Sequence, residues 1–138
     1  MVNQVIIGNG ISGTTAAFML LNRSSDFKVT MISEEPYLTY ARMILPDYIA
    51  GRITEQKIFP FKKNQFGSIH MILGKKVEEI RFQENFILIQ RNKKIPFDHL
   101  LIASGASPSL PDIEGIRQKG VYPLRGLEDA RRIISHAK

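Results

Sequence analysis

The chain has 138 residues, of which 43% are hydrophobic and 23% charged, with a net charge of +6 and no cysteine. These are ordinary values for a globular chain large enough for one compact domain, and they exclude an intrinsically disordered one. The missing cysteine excludes disulfide scaffolding, thiolate metal sites and a dithiol relay within the chain, and it fits a reducing, cytoplasmic setting.

No apolar run approaches the roughly 18 residues that cross a bilayer, so no membrane partner is expected. Met1 leads straight into strand-like sequence, and no secretory leader is expected either. The basic residues fall in scattered pairs, Lys62-Lys63, Lys75-Lys76, Lys93-Lys94 and Arg131-Arg132, with Glu78, Glu79 and Glu84 among them. No basic stripe with interleaved aromatics forms, so nucleic acid is not an expected partner. A positive surface does favour a small anionic ligand such as a pyrophosphate.

In chain order, residues 2–7 read as a buried strand, followed by the turn Gly8-Asn9-Gly10-Ile11-Ser12-Gly13. An apolar helix is predicted over residues 14–21, closed by Asn22-Arg23-Ser24-Ser25, and a second strand over 27–32. Strand, tight turn, helix and strand make a parallel unit with a right-handed crossover. Residues 37–51 carry helical spacing over Met43, Ile44, Tyr48 and Ile49, but Pro46 falls inside, so a short or kinked helix is predicted. A further short helix is read at 60–65 and a short apolar strand at 69–73. Residues 76–82, 86–91 and 94–96 alternate apolar and polar residues, the pattern of an antiparallel meander with one exposed face. Asp98 precedes an apolar strand at 100–103, which is expected to rejoin the parallel sheet of 2–7, 27–32 and 69–73. Residues 111–122 read as loop and 127–137 as a helix, with Glu128 and Asp129 where its first turn favours negative charge. The predicted fold class is α/β, a Rossmann-like three-layer domain with a parallel sheet and an antiparallel β-meander.

The glycine turn carries the chemistry. Gly8 permits the sharp exit from the first strand, Gly10 lets backbone approach a pyrophosphate, and Gly13 allows the helix to pack close to the strand. Backbone amides at the helix start then face the phosphates. Glu34 lies at the end of the second strand, at the spacing of a carboxylate that bonds ribose hydroxyls, with Glu35 as the alternative. A carboxylate there disfavours a ligand with a 2′-phosphate. Ser12 has two readings of equal standing, a helix cap or a phosphate donor. His70, His99 and His136 are isolated and form no metal or nucleophile constellation. The motif leaves NAD and FAD open.

Further segments separate the two. Tyr40-Ala41-Arg42-Met43-Ile44-Leu45-Pro46, Tyr48-Ile49-Ala50-Gly51, the run 100–108 (LLIASGASP) and Gly120-Val121-Tyr122-Pro123-Leu124-Arg125 followed by Asp129-Ala130 stand in the expected order. Together they resemble the FAD-dependent pyridine nucleotide-disulfide oxidoreductase superfamily, in the subgroup of rubredoxin reductases, NADH oxidases and assimilatory nitrite reductases. The resemblance covers nearly the whole chain. It implies FAD as cofactor, NAD(P)H as reductant of the full-length parent, and an electron-acceptor protein or domain as partner.

The same resemblance places Gly8, Gly10, Ile11, Ser12 and Gly13 at the FAD pyrophosphate, and Glu34 at the adenosine ribose. Arg42 matches a cationic position that approaches the phosphates. Val77 matches a position whose backbone lies beside the adenine, and Ala103, Ser104 and Gly105 match the tight passage along the cofactor. Arg125 resembles a retained arginine near the cofactor, with an ordinary surface-loop arginine as the alternative. No cysteine stands in Arg42-Met43-Ile44-Leu45-Pro46-Asp47, where disulfide reductases of the superfamily carry their redox pair.

No second Gly-x-Gly-x-x-Gly follows Gly13. The expected organisation is therefore an N-terminal part of an FAD-binding domain over 1–110, then a linker and helix over 111–138 leading to an NAD-binding domain outside this sequence. The chain alone is expected to be inactive and, with some apolar surface uncovered, to self-associate weakly. The competing readings are a non-catalytic nucleotide-binding fragment and a small NAD-binding regulatory or dehydrogenase domain.

Overall fold

In a computed structural model, the described residues are 1–90 and 92–137. They form two compact units, Met1–Tyr40 with Phe61–Gly105, and Ala41–Pro60 with Ala106–Lys138. The chain thus leaves the first unit after Tyr40 and returns to it at Phe61.

The first unit contains β1 (Val2–Ile7), α1 (Ile11–Arg23), β2 (Phe27–Ile32), β3 (Ile69–Ile72), β4 (Val77–Arg81), β5 (Phe86–Ile89), β6 (Lys93–Pro96) and β7 (His99–Ile102). The four apolar strands form one parallel sheet in the order β3-β2-β1-β7. β1 and β2 are parallel neighbours from Val2↔Phe27 to Ile7↔Ile32, as their unalternating composition predicts. Asp98 sets β7 beside β1: its carboxylate accepts the Asn3 amide at 2.6 Å, and its own amide donates to the Asn3 carbonyl at 2.9 Å.

Successive strand residues point to opposite faces, and both faces are covered. On one, Ile6, Val29, Met31 and Ile69 pack with Ala17 of α1 and with Phe66. Phe18, Phe61 and Phe66 close this layer, with ring centroids 5.3 to 6.2 Å apart. On the other face, Val5 and Ile32 pack against Ile87, Ile89, Ile95 and Phe97. These last belong to the meander and its exit, an antiparallel sheet in the order β4-β5-β6. Its turns place Asn85 and Asn92 at positive φ, which asparagine tolerates better than most residues. Helix, parallel sheet and meander are the three predicted layers.

β7 departs from expectation in one respect. Its apolar composition predicts burial on both faces, yet Leu101 is 36% and Ile102 54% exposed. The strand lies at the end of the sheet, next to β1 alone, so its outer flank lacks the neighbours that bury β1 and β2.

The second unit holds a 3-10 turn at Arg42–Ile44, α2 (Leu45–Ile49), a 3-10 turn at Glu55–Ile58 and α3 (Leu127–His136). Residues 37–41 are not helical, and the short helix, one of the two alternatives read within 37–51, is the one that forms. Pro46 sits in the first turn of α2, where its missing amide costs nothing, so it starts a helix and kinks none. The helix read at 60–65 is a 3-10 turn over Lys63–Phe66 in the first unit, and the turn at Glu55–Ile58 has no counterpart in the sequence reading. α3 matches its predicted span to one residue. The Asp129 carboxylate accepts the amides of Arg125 and Gly126 at 2.9 Å each, which caps the helix. Leu45, Ile58, Leu127 and Ala130 are buried. No helix among the described residues is long and apolar enough to cross a membrane.

Candidate nucleotide site

From β1 the chain runs outward through β2 to β3, then places β7 on the opposite side of β1. The strand order therefore reverses between β1 and β7. In parallel α/β sheets that reversal opens a crevice beyond the carboxyl ends of the strands, where ligands bind. The glycine turn leaves β1 at this point.

Its three glycines answer to three different constraints. Gly8 has φ +103°, and a Cβ there would lie 2.1 Å from the Ala103 carbonyl oxygen at the exit of β7. The Gly8 amide donates to the Ile32 carbonyl at 2.7 Å, and the Ala103 amide to the Ile7 carbonyl at 2.7 Å. Gly8 is thus wedged between the ends of β2 and β7. At Gly13 a Cβ would meet the Gly8 carbonyl oxygen at 2.1 Å and the Ile6 side chain at 3.2 Å, so α1 crosses β1 at backbone contact. Gly10 differs from both. Its backbone is extended, with φ −67° and ψ −179°, and a Cβ there would meet nothing within 4 Å. Neither strain nor packing within the protein calls for glycine at this position, and the space beside it is open.

α1 begins at Ile11, three residues before the predicted start, with Gly10 as its N-cap. Ser12 therefore lies inside the first turn and makes no capping hydrogen bond, which removes one of its two readings. Thr14 donates the first intrahelical bond, to the Gly10 carbonyl at 3.0 Å. The amides of Ile11, Ser12 and Gly13 precede it and belong to the helix end that carries partial positive charge. No acidic residue occupies this first turn to offset that charge.

Glu34 is exposed and lies two residues beyond Ile32, which pairs with Ile7. Its loop is fixed on both sides. The Ser33 amide donates to the Ile72 carbonyl at 2.9 Å, and the Glu35 amide to Ser33 Oγ at 3.2 Å. Gly74 and Lys75 donate their amides to the Glu35 and Ser33 carbonyls at 3.2 and 2.9 Å. Val77 follows at the start of β4, and its side chain packs into the apolar layer. Ala103, Ser104 and Gly105 lead out of β7 beside Gly8, and Gly105 has φ +72°. The structure thus brings together the Gly8–Gly13 turn, the exit of β7 and the ends of β1 and β2 that lead to Glu34 and Glu35.

Arg42 and Arg125 belong to the second unit, where they adjoin each other. Arg42 Nη1 donates to the Arg125 carbonyl at 3.1 Å, and Arg125 Nε to the Ala106 carbonyl at 2.8 Å. Also in this unit, Arg131 grips Glu55 with two donors at 2.6 and 3.2 Å, and Tyr48 donates to Glu55 at 2.6 Å. Hydrogen bonds from Arg131 and then Tyr48 hold the Glu55 carboxyl below its ordinary range, while the same carboxylate raises the Tyr48 hydroxyl above its own. His136 is less isolated than its sequence context implies, since its ring meets Tyr122 edge-on with centroids 5.8 Å apart. Among the described residues no three His, Asp or Glu side chains gather to hold a metal.

Three polar residues of the first unit escaped the sequence reading. Asn9, Thr14 and Thr39 are buried, at 6%, 0% and 2% exposure. Asn9 Nδ2 donates to the Tyr37 carbonyl at 2.6 Å, the Thr14 hydroxyl donates to the Asn9 carbonyl at 3.4 Å, and the Thr14 and Thr39 hydroxyls bond to each other. Their partners lie up to 28 residues apart, so no local pattern announces them. The one signal was polar residues in otherwise apolar segments.

The sequence profile of a family described as pyridine nucleotide-disulphide oxidoreductase matches residues 2–138. The assimilatory nitrate reductase electron transfer subunit of Bacillus subtilis is 28% identical, over 97% of this chain and 18% of that protein. The nitrite reductase (NADH) large subunit of Escherichia coli is 29% identical, over 99% of this chain and 16% of that protein. The chain therefore spans less than a fifth of the length of these two curated relatives. Among solved structures, a NAD-dependent persulfide reductase from A. fulgidus superposes with a TM-score of 0.88 at 30% identity, covering 96% of this chain and 27% of the other. The NADH:rubredoxin oxidoreductase from Clostridium acetobutylicum gives 0.86 at 26% identity, covering 97% and 35%.

Proposed function

The chain belongs to the pyridine nucleotide-disulphide oxidoreductase family, and on that premise we propose that it is the FAD-binding portion of an NAD(P)H-dependent flavoprotein oxidoreductase. The observation that carries this reading is the open space at Gly10, beside a helix end without acidic residues, at the reversal of the parallel sheet. A diphosphate meets three needs there: room for backbone to approach, amide donors and a favourable dipole. The residues present therefore fit the group that the family implies.

In this reading Gly8, Gly10, Ile11, Ser12 and Gly13 form the pyrophosphate turn, with the Ser12 hydroxyl as a phosphate donor. Glu34 accepts hydrogen bonds from the adenosine ribose, with Glu35 beside it as the alternative. The backbone at Val77 lies along the adenine, and Ala103, Ser104 and Gly105 line the passage of the cofactor. When bound, the flavin would supply the redox chemistry between NAD(P)H and an acceptor, and the residues above would hold and orient it. No side chain of this chain is assigned as acid, base or nucleophile. The acceptor is an electron-transfer protein or domain, nitrite-reductase centres or oxygen, in a cytoplasmic setting.

Two measurements test the reading. Titration of the chain with FAD, followed by flavin fluorescence, is expected to show saturable binding, and its absence would count against it. Anaerobic mixing of the chain with FAD and NADH is expected to bleach the flavin no faster than the protein-free control. The sequence holds one glycine motif, and hydride transfer needs nicotinamide and flavin together in near-attack geometry. The second reading, a nucleotide-binding module without turnover, is favoured by that same single motif. It is separated from the first by adding back the remaining polypeptide of the parent and watching for bleaching.

A further inference from the structure

We propose that Asn9, Thr14 and Thr39 are positioning residues that lock the glycine turn and the Glu34 loop into one rigid body, so that a single nucleotide is held at pyrophosphate and ribose together. The proposal rests on the FAD reading above for its ligand, and on the buried polar contacts for its mechanism.

The two halves of the candidate site come from different parts of the chain. The pyrophosphate turn hangs on β1 and α1. Glu34 hangs on the loop after β2, which runs on to Tyr37 and Thr39. The strand register ends at Ile7 and Ile32, and the Gly8 amide adds one more main-chain bond, to the Ile32 carbonyl at 2.7 Å. Beyond those residues the polar staples take over. Asn9 Nδ2 reaches the Tyr37 carbonyl at 2.6 Å, and the hydroxyls of Thr14 and Thr39 meet one helical turn further along α1. The Thr14 hydroxyl also returns to the Asn9 carbonyl at 3.4 Å. The four residues thus form a closed circuit, with two rungs from the turn and helix start to alternate residues of the loop.

Burial gives the circuit its stiffness. Asn9, Thr14 and Thr39 are each more than nine-tenths buried, so breaking a rung strands polar groups away from water. A satisfied buried network selects one arrangement of its members. Asn9 lies between Gly8 and Gly10, so the residue that sets the position of the open Gly10 is itself tied to the loop that carries Glu34. A ligand that contacts both halves gains from their fixed spacing, because the second contact then costs no further ordering.

Hydrogen exchange of the unliganded 138-residue chain tests the mechanical half directly. Asn9→Ala and Thr39→Val are each expected to speed exchange by about tenfold in residues 8–13 and 33–39 together. Exchange in β4 to β6 should hold its parent rate, and Thr39→Ser, which keeps the hydroxyl, should behave as the parent does. Faster exchange in 8–13 alone, or equally throughout the chain, would overturn the proposal.

A double-mutant cycle with FAD tests the binding half. Glu34→Gln is expected to lower FAD affinity about tenfold in the parent and by less than about threefold in the Asn9→Ala background. Equal losses in both backgrounds would show that the two halves act independently, and would overturn the proposal. If the unsubstituted chain binds no FAD, the cofactor reading fails, and the exchange pattern alone decides for or against the circuit.

Discussion

The two compact units rely on their charged side chains to different degrees. In the second unit, charged side chains serve the unit itself. Arg131 holds Glu55, Tyr48 bonds to the same carboxylate, Asp129 caps α3, and Arg42 and Arg125 donate to main-chain carbonyls. In the first unit, apolar layers do the holding, on both faces of the parallel sheet. Beyond the strand ends the buried Asn9, Thr14 and Thr39 tie the glycine turn to the loop after β2, and what stays free for a ligand is an exposed Glu34, a helix start without acids, and open space at Gly10. A unit held together by apolar packing leaves its strand ends available for a ligand. A unit with a small core, built on two short helices, relies on its polar side chains for cohesion.

The largest expected effect sharpens this contrast within the glycine turn itself. Gly8→Ala would force a Cβ to within 2.1 Å of the Ala103 carbonyl at φ +103°. Neither backbone can give way without disturbing the pairing of β1 with β7, so a loss of about 3 kcal/mol or more is expected. Thermal unfolding of the variant would show a large fall in Tm, and a Tm near that of the parent would contradict the packing described.

Glu34→Ala comes next, and it acts on binding alone. The side chain is exposed, so stability should change by less than about 0.5 kcal/mol. The loss of a charged hydrogen bond to a ribose hydroxyl should cost about 1.5–3 kcal/mol of FAD affinity. Isothermal titration would show this as a rise of one to two decades in Kd. An unchanged Kd in a folded variant would remove Glu34 from the site.

The smallest effect belongs to the second unit and depends on pH. The Glu55 carboxyl is held below its ordinary range, first by Arg131 and then by Tyr48. Its contribution is therefore present above the ordinary glutamate value and is lost as pH falls through the lower folded value. The ion pair is about one-third exposed on each side, and solvent screening limits it to about 0.5–1 kcal/mol. Tyr48 is raised, so its contribution is present below the ordinary tyrosine value and is lost as pH rises through the raised one. Urea denaturation should find Glu55→Gln less stable than the parent at pH 7 and nearly equal to it at pH 3. An equal deficit at both values would show that the ionised pair contributes nothing.

Much of this arrangement is legible in the sequence, for reasons that differ by element. β1 and β2 are visible because each is mostly β-branched and other apolar side chains and stops at a glycine or serine, Gly8 or Ser33, although Asn3, Gln4, Lys28 and Thr30 lie within them. The glycine turn is visible because two of its three glycines obey steric rules that hold for any such crossing of strand and helix. The start of α1 was misplaced because Ile11 and Ser12 lie inside the Gly8–Gly13 motif, which reads as one turn, whereas the helix begins directly after its cap at Gly10. The exposure of Ile102 was hidden because composition reports what a strand can bury and says nothing about its neighbours in space. The Asn9–Tyr37 and Thr14–Thr39 contacts were hidden for a related reason, since each joins residues 25 or more apart.

The most direct test of the account is a comparison of the parent with Gly10→Asp. Aspartate is a favoured N-cap, and the open space at Gly10 gives its side chain room. The variant should therefore match the parent in unfolding free energy to within about 0.5 kcal/mol. The same carboxylate would occupy the place of the pyrophosphate and repel it, so FAD affinity should fall by about 100-fold or more. Equal stability with that loss is the predicted result, and equal stability with undiminished FAD binding would show that the cofactor does not lie at the Gly8–Gly13 turn.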